Sequence, residues 1–249
     1  MSTASALLLY QLHLLARIGR LRRDWLLTRD AETLHDLRVA MRNWRALLPL
    51  LGNAECRTRW RTAAQQSNAM RDLDVQLALL QKHRAGQASL TRHRQAMAEA
   101  SERLRVALST AALDTLLLDS TRWLACSRPV SAGRLAQHRR TLHTRLLRAL
   151  GSLAPDSPPA LWHALRLAIK RLRYLNEAAS SATQSAAPPY QAALKAAQGT
   201  LGELHDVDAL LLQAGLPAPL RAALSASRAP LLIRAWQDVV TLQKLLPGA

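Results

Sequence analysis

The sequence predicts an all-α protein, and three observations lead to this fold class. Apolar residues recur at the three- and four-residue spacing of an amphipathic helix along almost the whole chain. No segment shows the sustained alternation of apolar and polar residues that is typical of a strand. Loops rich in proline, glycine or serine, such as SAAPPY and GLPAPL, separate the periodic segments from one another.

Helix breakers set the order of the predicted elements. Gly52 follows the second helix and Gly86 follows the third. Ser157 and Pro158 are expected to be the N-cap and the first residue of the sixth helix. The longest predicted linker, 120–132, divides the chain near its middle. The predicted helices cover 4–27, 30–51, 54–84, 88–119, 131–151, 158–181, 189–214, 217–226 and 229–246.

The composition combines a large apolar content with a strong positive charge. The 249 residues are 49% hydrophobic, which is enough for a sizeable core. The formal net charge of +17 attracts polyanions, namely nucleic acid, an anionic membrane surface or a phosphate polymer. Thirty of the 34 basic residues are arginine, whose planar fork suits phosphate. A GC-rich genome would also favour arginine, but it would not explain the net charge.

The sequence predicts a cytoplasmic protein. Cys56 and Cys126 have no metal-ligand partners at useful spacing and are expected to be reduced. The apolar run near the N-terminus is interrupted by Gln11, His13 and Arg17 and is not followed by a cleavage site, so we predict no signal peptide. No run of 18 apolar residues occurs, so no transmembrane span is predicted.

The segment LHDLRVAMRNWRALLPLL, residues 34–51, carries basic side chains along one helical face. At about 100° per residue, four of them fall within a sector of about 80°. Apolar residues such as Leu37, Met41 and Trp44 lie on the opposite side. The helix thus has a packing face and a basic face without an acid. The basic residues are His35, Arg38, Arg42 and Arg45.

The same basic pattern returns in the second half of the chain, in WHALRLAIKRLRYLNEAA. Here the four equivalent residues are His163, Arg166, Lys170 and Arg173, and all four pairs share one offset in the numbering. Like charges on two facing helices would repel each other unless an anion lay between them. The repeated pattern therefore favours a polyanion ligand, and the alternative is two solvated faces.

A D-x-D motif follows each basic helix and indicates an internal duplication. The two motifs match in the same order as the basic helices, with a slightly larger offset that a longer Pro-rich loop in the second half explains. We predict a single domain spanning 1–249, with repeat 1 at about 4–119 and repeat 2 at about 131–246. We expect these acids to pair with arginines rather than to hold a metal. The matched pairs are Asp72 with Asp206 and Asp74 with Asp208.

The two repeated histidines could bind phosphate, ligate a metal or act as general acid and base. Asp36 follows His35 directly, but its counterpart in the second half is Ala164, so a metal site and catalysis are disfavoured. Further basic residues flank the stripes, in HRRTLHTRLLR and at the end of the first helix. Of these, Arg17 and Arg20 are predicted to join the site. The segments RTRWR, at 57–61, and RHRQAMAEASERLR are expected to be solvated faces.

The repeated H-x-x-R-x-x-x-[RK]-x-x-R, together with RDLDV and LGELHDVDALL, resembles the CHAD family, whose name stands for conserved histidine α-helical domain. The resemblance covers about 5–246. It implies two pseudo-symmetric helical bundles with a basic groove or pore between them, binding of inorganic polyphosphate, and association with polyphosphate granules. The implied ligand positions are His35, Arg38, Arg42, Arg45, Arg71, His163, Arg166, Lys170, Arg171, Arg173 and Tyr174.

Apart from Lys170, which stands in place of Arg42, the two halves differ at three of these positions. Asn43 and Ala46 stand where the second half has Arg171 and Tyr174, and His205 stands where the first half has Arg71.

The predicted function is non-enzymatic binding of polyphosphate, without a metal or cofactor. Nucleic-acid binding is the alternative, since the same arginines can bind a DNA or RNA backbone. It is disfavoured because aromatic residues make up only 4% of the chain, whereas single-strand readers interleave aromatic and basic residues. A metal-dependent phosphohydrolase is a weaker alternative. An anionic-membrane binder is disfavoured because the basic residues are spread through long packed helices.

Overall fold

The computed structural model describes residues 2–246, apart from the side chain of Gln66, and these residues form nine α-helices. None of the described helices is long and apolar enough to cross a membrane. The helices are α1 (Thr3–Thr28), α2 (Ala31–Leu51), α3 (Ala54–Lys82), α4 (Gln87–Ser109), α5 (Ala111–Cys126), α6 (Ala132–Gly151), α7 (Pro159–Thr183), α8 (Gln191–Leu211) and α9 (Ala218–Leu245).

The predicted helix 88–119 is wrong, because it is two helices that break at Thr110. The backbone of Thr110 is extended, with φ −74° and ψ 143°. The hydroxyls of Ser109 and Thr110 donate to the carbonyls of Val106 and Ala107 (3.0 and 2.9 Å). Such local bonds compete with the helical ladder at its end. The second of these helices, α5, extends to Cys126, so the predicted linker at 120–132 is mostly helical.

The two helices predicted at 217–226 and 229–246 are one helix, α9, with Pro230 inside it. Proline removes one hydrogen bond of the helical ladder. Leu224, Leu231 and Ala235 are buried on both sides of the proline and hold the two parts on the core. The predicted N-cap at Ser157 is also wrong. Its hydroxyl accepts from the Ala154 N–H (2.8 Å), and α7 begins at Pro159.

Defined ends fix the position of α2. The Asp30 carboxylate caps the helix by accepting from the Thr33 N–H at 2.7 Å, and its hydrogen bonds lower the pKa of Asp30. At the other end Gly52 adopts φ +79°, the left-handed conformation that glycine adopts readily. The apolar face predicted from the sequence is confirmed. Its residues Leu37, Ala40, Met41, Trp44, Leu47 and Leu48 are all buried.

The chain forms two compact units. Unit 1 consists of Met1–Arg71, Ala98–Arg139 and Tyr174–Ala187. Its core includes Trp44 and Trp60, whose rings meet edge to face with centroids 5.9 Å apart.

Arg22 of unit 1 has a structural role. It is buried, and it bonds to the Leu108 carbonyl and the Asp114 carboxylate. These bonds join the end of α1 to the junction between α4 and α5.

Unit 2 consists of Asp72–Met97, Arg140–Arg173 and Pro188–Ala249. Its core contains Trp162 on α7, which packs edge to face on Trp236 of α9 with ring centroids 6.4 Å apart. The indole N–H of Trp162 donates to the Ser157 carbonyl (3.1 Å), so the loop before α7 is tied to the helix. Four helices, α3, α4, α6 and α7, contribute residues to both units.

Candidate anion-binding sites

The α2 stripe, which we define as His35, Arg38, Arg42 and Arg45, lies in unit 1. His35 is exposed, and the three arginines are half-buried. Half-burial removes part of the hydration of each guanidinium. These arginines therefore gain more from a hydrogen-bond or ion-pair partner than fully exposed arginines would.

Arg38 is held against α3 by the backbone. Its Nη1 donates to the Ser67 carbonyl at 2.6 Å. Ser67 is itself buried, and its hydroxyl donates to the Ala64 carbonyl at 2.9 Å. Arg38 thus has a fixed orientation, as is needed of a pre-organised ligand-binding group.

Arg42 stacks on an aromatic ring. Its Cζ lies 4.5 Å from the ring centroid of Tyr174, which belongs to unit 1. The Nε of Arg42 is buried without a hydrogen-bond partner among the described residues. A cation over an aromatic face is attracted by the ring quadrupole, and the contact fixes the plane of the guanidinium. The ring therefore orients Arg42 without neutralising its charge.

Arg45 lies close to another cation. No ion pair or hydrogen bond joins its guanidinium to another residue in the part of the chain that the structure describes. Burial lowers the pKa of Arg45, and the nearby charge of Arg61 on α3 lowers it further. Both effects make the charged form of Arg45 costly. A bound anion would relieve them.

The residues predicted to flank the α2 stripe have different surroundings. Arg17 donates from Nη2 to the Asp36 carboxylate at 2.8 Å, so its charge is balanced by a neighbouring acid. Arg20 is exposed, and Arg71 is half-buried and is the last residue of the first segment of unit 1. Asp36 lies about 100° around α2 from His35, outside the basic face, and pairs with a residue of α1.

The α7 stripe, which we define as His163, Arg166, Lys170 and Arg173, lies in unit 2. Its arginines are much more buried than those of the α2 stripe, since Arg166 and Arg173 are only 7% and 8% exposed. Lys170 is half-buried and His163 is exposed. The stripe is therefore a recessed basic surface.

Two glutamines of α8 hold Arg173. Its Nε donates to Gln198 Oε1 at 2.7 Å, and Gln191 Nε2 donates to the Arg173 carbonyl at 3.1 Å. The neutral amide of Gln198 thus orients the guanidinium of Arg173, and Gln191 holds its backbone. Arg171, which the family resemblance implies as a ligand, is exposed and lies about 80° around the helix from His163.

A second histidine joins the α7 stripe. The rings of His163 and His205 are 5.0 Å apart between centroids and inclined by 42°. Burial lowers the pKa of His205, as do the nearby charges of Arg166 and His163, while Asp72 and Asp208 act in the opposite direction. His205 therefore gives up its proton more readily than an exposed histidine.

This lowered pKa predicts a loss of stability in acid. The folded chain holds His205 neutral at pH values where the unfolded chain, with a pKa of about 6.5, binds a proton. The free energy of unfolding should therefore fall as the pH drops below about 6.5. We expect His205→Gln to reduce this fall, measured by urea unfolding between pH 7.5 and 5.5 without ligand. His13→Gln, at an exposed position, is the control. Equal pH dependence in both variants would contradict the prediction.

The D-x-D acids were expected to pair with arginines, and Asp208 does so. Its Oδ1 accepts from the Arg228 Nε at 2.6 Å. The partner lies on α9 rather than on a stripe. Within residues 2–246, setting aside the Gln66 side chain, no three His, Cys, Asp or Glu side chains are grouped in a way that could hold a metal ion.

The sequence did not predict three of the contacts at these sites. Arg61 is exposed, as expected of a solvated face, but its closeness to Arg45 was not predicted. Gln198 carries no signal in the sequence that would distinguish it from other polar residues. His205 was identified only as the counterpart of Arg71, and its ring contact with His163 depends on how α7 and α8 pack.

Comparison with known proteins gives a consistent result. The family model of the CHAD domain matches residues 10–214. The crystal structure of the CHAD domain from the plant Ricinus communis matches with a TM-score of 0.73 and 22% identity, covering 100% of this chain and 93% of that one. PptA from Streptomyces chartreusis matches with a TM-score of 0.70 and 18% identity, covering 98% and 99%. No curated protein matches the sequence.

Proposed function

The chain belongs to the CHAD family, and we propose that it binds inorganic polyphosphate through the α2 stripe and the α7 stripe. The observation that carries the proposal is Arg45, a half-buried cation that lies near Arg61 and lacks an ion-pair partner among the described residues. Keeping a half-buried cation next to a second positive charge is unfavourable. A ligand with several negative charges offsets that cost.

The shape of each stripe suits a linear polyanion. The distance along the axis from the histidine to the last cation is about 15 Å, since a helix rises 1.5 Å per residue. Three cations and a histidine in a row can contact successive phosphates of one chain. The fixed orientations of Arg38 by a carbonyl, Arg42 by a ring and Arg173 by the Gln198 amide reduce the entropy that is lost on binding.

The proposed role is binding without chemical conversion of the ligand. Histidines in the two stripes would donate hydrogen bonds to phosphate oxygens, and no bond of the polymer is broken. Binding of long chains would in turn recruit the protein to polyphosphate granules. No cofactor has a part in this proposal.

Nucleic acid is the main competitor as a ligand, and a competition titration tests the proposal. The tryptophans next to the stripes, Trp44 and Trp162, are 0% and 4% exposed, so neither offers a stacking platform to a base. The protein would be bound to labelled long-chain polyphosphate and challenged with single-stranded RNA or duplex DNA. The competitors are compared at equal phosphate concentration and about 150 mM salt.

We expect unlabelled polyphosphate to displace the label at least about tenfold more effectively than either nucleic acid, a difference of about 1.4 kcal/mol. Equal displacement by RNA or DNA would favour the nucleic-acid function instead. If the protein does not bind the labelled polyphosphate at all, the proposal is wrong.

A further inference from the structure

In unit 1 a second cation stands beside the last residue of the α2 stripe. Helices α2 and α3 run antiparallel, because Arg38 contacts Ser67 while Trp44, further along α2, contacts Trp60, further back on α3. In each helix the residue that follows the tryptophan is rotated by about 100° around the helix axis. Viewed from one end of the pair, the rotation is clockwise in one helix and anticlockwise in the other, because the helices are antiparallel. Arg45 and the residue after Trp60 therefore lie on the same side of the helix pair.

That residue is Arg61, which is exposed. Its charge is close enough to affect the pKa of Arg45. Neither guanidinium has an ion pair with a residue that the structure describes. The two arginines form a cationic pair that spans α2 and α3.

In unit 2 a lysine occupies the corresponding place. Gln191, Lys195 and Gln198 lie at i, i+4 and i+7 of α8, within about 60° of one another around the helix. The two glutamines that flank Lys195 both contact Arg173, one through its carbonyl and one through its Nε. The exposed Lys195 therefore lies on the face of α8 that packs along the last residue of the α7 stripe.

The internal repeat relates the two arrangements. Arg45 and Arg173 are the last residues of the two stripes and are equivalent at the offset that pairs His35 with His163. Arg61 and Lys195 are equivalent at the offset that pairs Asp72 with Asp206. Each unit thus has an exposed cation on the helix that packs along the last residue of its stripe, although the burial of Arg45 and Arg173 differs.

We propose that Arg61 and Lys195 are additional polyphosphate-binding residues, and that each extends its stripe sideways onto the neighbouring helix. This inference rests on the proposed function. In each unit the ligand would lie across two helices at the end of the stripe. Below it would lie the last arginine of the stripe, Arg45 or Arg173, and beside it the exposed Arg61 or Lys195. A phosphate there receives hydrogen bonds from both cations.

The test is the double variant Arg61→Gln, Lys195→Gln. We expect its affinity for long-chain polyphosphate to fall at least about tenfold, since each lost charged hydrogen bond weakens binding. The slope of log affinity against log salt concentration should become shallower by about two, one for each lost phosphate contact. Affinity is measured by titration of labelled polyphosphate between 50 and 200 mM salt, and circular dichroism checks the helical content.

The matched control is the double variant Arg122→Gln, Lys244→Gln. It removes the same net charge from exposed positions on α5 and α9. We expect its salt slope to equal that of the unchanged protein. If the Arg61 and Lys195 variant behaves like this control, the inference is wrong while the proposed function stands. If the unchanged protein does not bind polyphosphate, the function and the inference fall together.

Discussion

Replacing Arg38, Arg42, Arg166 and Lys170 by glutamine should reduce the affinity for polyphosphate by at least about 10³-fold. A hydrogen bond to a charged group contributes about 1.5–3 kcal/mol, and about 1.4 kcal/mol corresponds to a tenfold change. Four such losses predict more than 10³-fold even if they are far from additive. Glutamine keeps much of the side-chain length, which matters because Arg166 is only 7% exposed. The measurement is titration of labelled polyphosphate at constant salt.

A second variant distinguishes the effect of removing the stripe residues from the effect of lowering the net charge. It replaces four exposed cations outside the stripes, Arg92, Arg94, Arg122 and Lys244, by glutamine and removes the same total charge. We expect only a small loss of affinity, because exposed charges act at a distance through screened interactions. Thermal unfolding of both variants checks the fold. Near-normal binding by the stripe variant would show that the stripes are solvated surface.

The fold class and the two faces of α2 follow directly from the sequence. A helix places residues three and four apart on one side, so a list of apolar positions predicts a buried face. The burial of Leu37, Met41 and Trp44 confirms that prediction. The same geometry places the basic stripe on the opposite side of α2, but it does not predict that the stripe arginines are half-buried.

Helix ends were harder to predict, because they depend on local competition for hydrogen bonds. Thr110 breaks a segment whose apolar periodicity continues on both sides. Pro230 does the opposite, because a proline that normally ends a helix is tolerated when tertiary packing holds both halves. The apolar periodicity of the sequence contains no information on these local hydrogen bonds or on this tertiary packing.

The spacing of apolar and basic residues does not predict which side chains of different helices are in contact. Tyr174 lies far along the chain from Arg42, on which it stacks, and His205 lies on a different helix from His163. The internal repeat shows which residues are equivalent in the two halves, but equivalence does not reveal which side chains touch. Arg61 illustrates the difference, because its neighbour Arg45 is set by the antiparallel packing of Trp44 on Trp60.

The affinity for polyphosphate should also fall steeply with salt. A protein that neutralises successive phosphates releases condensed counterions, and six to ten contacts on DNA cost about 10³–10⁵ in affinity between 50 and 200 mM salt. The two stripes supply eight basic or histidine side chains, so we expect a loss in this range. The measurement is titration of labelled polyphosphate at several salt concentrations and fixed pH.

The slope also shows which residues provide the contacts. Each phosphate contact that is removed should make the slope of log affinity against log salt shallower by about one. The weak binding left in the Arg38, Arg42, Arg166 and Lys170 variant should therefore have a slope smaller by about four. The variant of four exposed cations should keep the full slope. An affinity that hardly changes with salt would contradict binding of a long polyanion and would instead indicate a small ligand held mainly by uncharged contacts.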